Sequence, residues 1–146
     1  RNLPKDICWL RKINKSSIDS FRLGLLGTTP PEILNWPGNG SSEQAHNLAP
    51  YVDVNSDGDY TPLQGDYPCI RGDQAVYFIY NDALVGTPHG ETGGLPLGVE
   101  IHGMAYGFNT SADTALYNTV FFNYKIINRS TNTYNNVYVG TGPMEI

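Results

Sequence analysis

The sequence predicts a mainly β protein, an antiparallel β-sandwich that follows an N-terminal arm with short helices. The 146 residues include 16 glycines, 10 prolines and 10 tyrosines but only 16% charged residues. This mixture of turn formers and strand formers is typical of all-β domains. The second half of the chain also contains several apolar or alternating segments of strand length. The chain is long enough for one domain with a hydrophobic core.

Residues 1–49 are the predicted arm. The sequence Ser-Ser-Ile-Asp at 16–19 has the spacing of a capping box at the start of a short helix. The sequence Thr-Pro-Pro-Glu at 29–32 is a second start signal, and the helix that follows at 33–36 is ended by a Pro-Gly pair. Helices this short are not stable alone, so we expect the arm to pack against another surface.

Residues 50–146 are the predicted β-sandwich domain. The continuous apolar run at 75–80 predicts a central strand covered on both faces, and 99–108 predicts a further strand. Apolar and polar residues alternate over 116–126, which predicts a long strand with one buried face. Residues 134–139 are expected to return antiparallel to it. Two packed antiparallel sheets are the simplest arrangement of these strands.

An acidic segment precedes the first long strand and carries the clearest chemical signal. Asp53, Asn55 and Asp57 place oxygen side chains at alternate positions, and Gly58 follows at once. This is the first half of a calcium loop, in which a hard cation collects oxygen ligands while glycine allows the sharp turn.

The second half of the loop departs from an EF-hand. Asp59 occupies the seventh position, where the main-chain carbonyl is normally the ligand. The twelfth position holds Gln64 in place of a bidentate carboxylate, so we expect Asp66 to close the site. The prediction is a Ca²⁺-loop insertion at 53–66 in the β domain. The other reading is a turn rich in Asp and Asn that needs no metal.

Two cysteines allow two interpretations. In a secreted protein, Cys8 and Cys69 can pair and tie the arm to the acidic loop. Closing a loop of this length contributes roughly 4 kcal/mol in the chain-entropy model. The alternative is a pair of buried thiols.

Signals for catalysis are weak, and we expect no enzymatic activity. Glu100 and His102 alternate on a predicted strand, with His89 and Glu91 in the loop before it. Such residues can bind a transition metal or transfer protons, but the pattern is common by accident. The sequence has no nucleophile elbow, phosphate-binding loop or CxxC motif.

Two surface motifs have ordinary explanations as well as functional ones. The tripeptide at 71–73, Arg-Gly-Asp, spells an integrin-binding sequence, but Asp73 is more simply a cap for the turn before the strand. Trp9 and Trp36 can stack on sugar rings, as in carbohydrate-binding β-sandwiches, or serve as core residues.

Several segments, taken in order, carry a resemblance to a known group of proteins. The chain resembles the N-terminal region of large secreted proteins of Bacteroidota that have a type IX secretion sorting domain. The resemblance implies an extracellular or cell-surface location and brings no established activity. Asp-Thr-Ala at 113–115 is also similar to the O-glycosylation acceptor motif of that phylum, which favours a modified Thr114, and the alternative is an unmodified polar loop. The segments that carry the resemblance are Ile33–Pro37, Ala49–Gly58, Gly65–Pro68, Arg71–Val76, Asn81–Asp82 and Tyr124–Ser130.

Charge and hydropathy limit the partners. The net charge of −5 argues against nucleic acid, and no apolar run reaches the length of a membrane span. Six of the nine lysines and arginines lie in the first 25 residues, opposite in sign to the acidic segment. Since the chain ends without the acidic region typical of those secreted proteins, we expect a structural or adhesive subunit acting by itself. We further expect a homo-oligomer or fibre in which the arm docks on a neighbour. The alternative is a carbohydrate-binding accessory domain.

Overall fold

The computed structural model describes residues 9–41, 44–82 and 93–140, and it confirms a mainly β, antiparallel fold. One sheet has four strands in the order β1-β4-β5-β6, and a second has only the two short strands β2 and β3. The elements are β1 (Trp9–Asn14), α1 (Lys15–Arg22), α2 (Pro31–Leu34), β2 (Tyr51–Val52), β3 (Tyr67–Pro68), β4 (Gln74–Asn81), β5 (Val99–Gly107), α3 (Thr114–Tyr117) and β6 (Phe121–Asn128).

The centre of the large sheet matches the sequence prediction closely. Strands β4 and β5 pair antiparallel over their whole length, with Phe78 opposite Gly103. They coincide with the apolar segments at 75–80 and 99–108 within one or two residues at each end. Both strands are central because β1 covers one flank and β6 the other.

The arm is more than a docking segment, because its residues 9–14 form the edge strand β1. This strand was not predicted, and it pairs antiparallel with β4, with Ile13 opposite Ala75. The two predicted helices exist, but α1 follows Asn14 with no side-chain cap, so the capping box at 16–19 is wrong. Helix α2 likewise begins at Pro31, one position later than the start signal indicated.

The core lies on one face of the four-stranded sheet. Buried side chains of β1, β4 and β5 meet those of the arm there, and the edge of the small sheet packs beside them through Tyr51 and Tyr67. The arm thus fulfils the expectation that it packs against another surface. The largest buried residues of this cluster are Ile13, Ile18, Ile33, Trp36, Leu48, Tyr60, Tyr77, Ile79 and Met104.

The predicted long strand at 116–126 is wrong in its first part. Asp113 caps the short helix α3, since its Oδ1 accepts the backbone N–H groups of Ala115 and Leu116. The strand β6 starts only at Phe121, and its predicted buried face is exposed or half-exposed throughout. Leu116 at 36% and Val120 at 63% exposure also lie outside the core.

The return strand at 134–139 is not formed either. Residues 129–140 contain turns and irregular backbone, and Tyr138 is 92% exposed. Tyr134 instead donates its hydroxyl to the carbonyl oxygen of Leu97 at 2.6 Å. The described residues therefore build one full sheet and a two-stranded ribbon, without a full second sheet facing it. None of the helices in these residues has the length and apolar character needed to cross a bilayer.

Candidate metal site and its surroundings

Three carboxylates converge in the loop that connects β2 and β3. Asp53, Asp57 and Asp66 each offer an oxygen, and these oxygens lie within 4.8 Å of one another. All three were predicted ligands, and two come from the first half of the loop while the third comes from its end. The cluster can hold a metal ion.

The first half of the loop folds through hydrogen bonds to Asp53. Its Oδ1 accepts the backbone N–H of Ser56 at 2.6 Å, and its Oδ2 accepts that of Gly58 at 2.8 Å. The bend requires positive φ values of 61° at Ser56 and 86° at Gly58. Glycine takes such a φ without steric cost, which explains its place in the motif.

Asp66 fastens the end of the loop to its beginning. Its side chain is fully buried, and Oδ1 accepts the backbone N–H of Val54 at 2.8 Å. Oδ2 accepts both the backbone N–H of Thr61 at 2.8 Å and its hydroxyl at 3.0 Å. Burial raises the pKa of Asp66, but these hydrogen bonds outweigh it and hold the pKa below its usual value.

The other two predicted ligands are oriented differently: Asn55 contacts the cluster through Asp57, and Asp59 is not among the three converging carboxylates. Asn55 turns its amide nitrogen toward Asp57 Oδ2 at 2.7 Å and Gln64 Oε1 at 2.8 Å. Its oxygen accepts the backbone N–H of Asp57. The carboxylate of Asp59 lies 3.4 Å from His46 Nε2, on the exposed side of the loop.

The donor set fits a hard divalent cation. All three converging groups are carboxylates, the ligands that Ca²⁺ prefers, and none is sulfur or imidazole. Among the described residues, no lysine or arginine forms an ion pair with them. The negative charge of the loop also affects Tyr51. Burial raises the pKa of Tyr51, and repulsion from the carboxylates of the loop raises it further. Asp53, Asp57 and Asp66 would hold the ion, which would neutralise their mutual repulsion.

The loop also contacts the arm. Asn39 accepts the backbone N–H of Tyr60 at 2.6 Å and donates to its carbonyl at 3.0 Å. The Tyr60 hydroxyl donates to the carbonyl of Ile33 at 2.7 Å. Tyr51 donates its hydroxyl to the carbonyl of Gly58 at 2.8 Å. Order in the loop is thereby coupled to order in the arm.

A cleft of about 860 Å³ lies between the loop and the large sheet, lined by Asp53, Tyr77 and His102 among others. His102 Nδ1 accepts from the Tyr77 hydroxyl at 2.7 Å, while Nε2 donates to Glu100 Oε1 at 2.6 Å. Arg129 donates to the same Glu100 oxygen at 2.8 Å. Sequence reasoning paired Glu100 with His102 but missed Tyr77 and Arg129, since only the strand register brings them together.

We call the hydrogen-bonded series Tyr77–His102–Glu100–Arg129 the relay. It leaves no free ring nitrogen on His102 to bind a metal. Both ring nitrogens of His102 are engaged, and both Glu100 and His102 are only 8% exposed. Burial raises the pKa of Glu100, but its bonds and charge contacts with Arg129 and His102 outweigh this and lower the pKa overall. A metal at this pair would have to displace Arg129 or Tyr77. His89 and Glu91, the other candidates, lie outside the described residues.

The remaining sequence candidates fall in different environments. Trp36 is 3% exposed and donates its ring N–H to the carbonyl of Pro50 at 3.0 Å, so it is a core residue and offers no face to a sugar. Only the backbone of Trp9 is described. Cys69 is exposed, so the alternative of a pair of buried thiols is wrong for this residue. Cys8 lies outside the described residues, so its pairing with Cys69 stays a prediction. Thr114 is exposed at the start of α3.

The Arg-Gly-Asp tripeptide at 71–73 has a structural role. Asp73 Oδ2 accepts the backbone N–H of Asn109 at 2.8 Å, and its main chain bonds to Gly107 and Lys15. The carboxylate thus ties the start of β4 to the segment after β5, and its predicted role as a cap of its own turn is not what its hydrogen bond shows.

Comparisons with models of protein families, with curated proteins and with solved structures found no match. No relative of known activity therefore bears on this site.

Proposed function

We propose that this chain is a non-enzymatic structural or adhesive module of the cell surface or extracellular space, stabilised by Ca²⁺. The observation that carries the proposal is the convergence of Asp53, Asp57 and Asp66 within 4.8 Å in one loop. Carboxylates this close repel one another, and a bound divalent ion turns that repulsion into attraction.

An extracellular location agrees with a site of this kind. Calcium loops of extracellular modules bind at roughly 10⁻⁴–10⁻³ M, so a site with three carboxylates need not be tight. The ion has a mechanical role in this proposal: it holds the loop between β2 and β3, and through Tyr60 the loop holds the arm on the sheet.

The hydrogen bonds beside the cleft between the loop and the large sheet also favour a structural role. The described residues contain one titratable relay with a buried centre, Tyr77–His102–Glu100–Arg129. Its side chains donate and accept hydrogen bonds among themselves. The relay joins β4 and β5 to the segment after β6, which favours a structural role.

The fibre is the more specific part of the proposal. The arm contributes an edge strand, β1, and its residues 1–8 precede that strand. An arm that adds to the sheet of a neighbouring subunit gives a head-to-tail contact, and such contacts propagate into filaments.

Thermal unfolding with calcium, with magnesium and with chelator tests the metal. Saturation at about 100 times the dissociation constant contributes about 2.7 kcal/mol, or a rise of roughly 5–10 °C in midpoint for a chain of this size. The Asp57→Ala variant should lose this rise. Asp59→Ala is the matched control, because its carboxylate lies in the same loop but outside the cluster. A midpoint that is equal in calcium and chelator would defeat the assignment.

A further inference from the structure

The four-stranded sheet has a second face that no described residue covers. Alternate residues of β1, β4, β5 and β6 point away from the core, and we call this surface the open face. Its largest side chains are Leu10, Phe78, Tyr80, Phe122, Tyr124 and Ile126. The opposite face of the same strands carries Ile13, Tyr77, Ile79 and Met104 of the core.

The aromatic rings of the open face form one continuous row across the sheet. Phe78 lies 5.9 Å from Tyr124 between ring centroids, Phe122 lies 6.3 Å from Tyr124, and Phe78 lies 6.3 Å from Tyr80. Gly103 separates β4 from β6 in this row, and the ring of Phe78 occupies the space where a side chain at Gly103 would stand. The result is a continuous apolar surface in which no side chain of β5 at position 103 separates the rings of Phe78 and Tyr124.

The open face exposes an apolar patch of the size that often has a function in monomeric proteins. Tyr80, Phe122 and Tyr124 are 42%, 58% and 48% exposed, and Leu10 and Ile126 are 60% and 45% exposed. With roughly 150–250 Å² for a whole aromatic side chain, these five residues leave about 500 Å² of mostly apolar surface in contact with water. A monomer's largest apolar patch is typically about 300–600 Å² and is often functional.

The area and the charge of the open face favour a second copy as its occupant. Two copies would bury about 1,000 Å² in total, which reaches the lower limit for a specific protein–protein interface. Lys12 is the only charged residue at the open-face positions of the four strands. A partner selected by charge therefore finds little to pair with, whereas the apolar part of an identical face can pack against it.

We propose that two copies of this chain pack their open faces together about a twofold axis and form a two-layer sandwich. Two sheets stack at about 10 Å with interdigitated side chains, and the continuous apolar side chains of the open face meet this requirement. The contact is isologous and closes on itself, unlike the head-to-tail contact of an arm. The contact between the two open faces involves no residue of the acidic loop. The dimer proposal is therefore tested independently of the proposed calcium site.

Sedimentation velocity of the full chain over a 1,000-fold concentration range, with calcium and with chelator, tests the pairing. The expected result is a reversible dimer in both buffers, and any larger species built through the arm should then contain even numbers of chains. A monomer at every concentration would overturn the proposal, and so would open-ended aggregation without a dimer. A dimer seen only in calcium would place the contact at the loop and would also overturn it.

Two charge substitutions distinguish pairing of the faces from pairing of the free edge of β6. Phe122→Lys lies on β6, and Tyr80→Lys lies two strands away on β4. Pairing of the faces predicts that each weakens the dimer at least tenfold, while edge pairing predicts that Tyr80→Lys has no effect. Leu63→Lys is the matched control, since this leucine is 81% exposed but lies outside the large sheet.

The same variants address the main competing occupant. Circular dichroism and thermal unfolding should show that both lysine variants keep the fold, because each side chain is already about half exposed. Binding of soluble oligosaccharides to a monomeric chain, lost in Tyr80→Lys and kept in Leu63→Lys, would assign the aromatic row to sugar stacking and refute the second copy.

Discussion

The carboxylate of Asp66 accepts the backbone N–H of Val54 at 2.8 Å, across twelve residues of chain. Val54 follows strand β2 and Asp66 precedes strand β3, so this bond closes the acidic loop at its neck. The other Asp66 oxygen binds Thr61 within the loop. One fully buried side chain therefore fixes the loop whether or not an ion is bound, and it also presents a carboxylate to the cluster.

Replacing Asp66 by asparagine should destabilise the protein strongly. An amide has one acceptor oxygen, so its NH₂ group would face the N–H of Val54 or of Thr61. A buried donor left without an acceptor, together with the loss of charge-assisted bonds, costs about 2–4 kcal/mol. Urea unfolding of Asp66→Asn measures this cost. Asp59→Asn serves as the control, and an equal loss in both variants would contradict the role given to Asp66.

Asp57→Asn should act in opposite directions with and without calcium. In chelator, the substitution removes repulsion at an exposed site and should change stability by no more than about 1 kcal/mol, toward greater stability. In calcium, it should remove most of the ion's stabilisation, since a ligand charge is lost. Unfolding free energies of the variant and the unmodified chain in both buffers give this comparison. A loss of stability in chelator would mean that Asp57 holds the turn by itself.

The sequence predicted β4 from its continuous apolar run at 75–80 and β5 from the strand-forming residues at 99–108, and both signals are local. It did not predict β1, whose mixed residues at 9–14 become a strand only through distant pairing with β4. The misplaced start of β6 had a visible signal, since Asp113 followed by Thr-Ala-Leu is a helix start. The alternation in β6 was read correctly, but alternation does not say what covers the apolar side.

The candidate metal site, like the strands, was predicted only where its signal is local in the sequence. Asp53, Asp57 and Asp66 were found because a cation loop has a fixed local spacing. The orientation of Asn55 depends on Gln64 nine residues away, which no motif specifies. The buried relay depends on the register of β5 against β4 and on the turn after β6, so Tyr77 and Arg129 had no sequence signal.

Removal of the Tyr77 hydroxyl tests the buried relay. In Tyr77→Phe, His102 Nδ1 loses its donor at 2.7 Å in a buried position, which costs about 1–3 kcal/mol. Tyr80→Phe on the same strand is the control, because Tyr80 is 42% exposed and its hydroxyl can bond to water. Paired urea titrations of the two variants give the difference. Equal stabilities would show that the hydrogen bond contributes nothing net.

The relay also predicts how stability depends on acid. The pKa of Glu100 is lower in the folded chain than in the unfolded chain, where it is about 4.3. Its contribution is therefore fully present above the unfolded pKa and is lost as the pH falls through the folded pKa. Asp66, with its own lowered pKa, contributes in the same direction. Unfolding free energies between pH 7 and pH 3 should fall less steeply in Glu100→Gln, and an unchanged slope would exclude Glu100 as a source of the acid sensitivity.

Two glycines with nearly equal φ separate backbone conformation from crowding. Gly72 and Gly24 have φ values of 69° and 66°, so alanine is strained at either by about 1–2 kcal/mol. A Cβ at Gly24 meets nothing within 4 Å, whereas one at Gly72 would collide with the carbonyl oxygen of Gly107 on β5. Gly72→Ala should therefore cost about 2 kcal/mol more than Gly24→Ala in urea unfolding, because the turn and the strand must move apart. Equal costs would mean that the glycine of the tripeptide at 71–73 is required by φ alone.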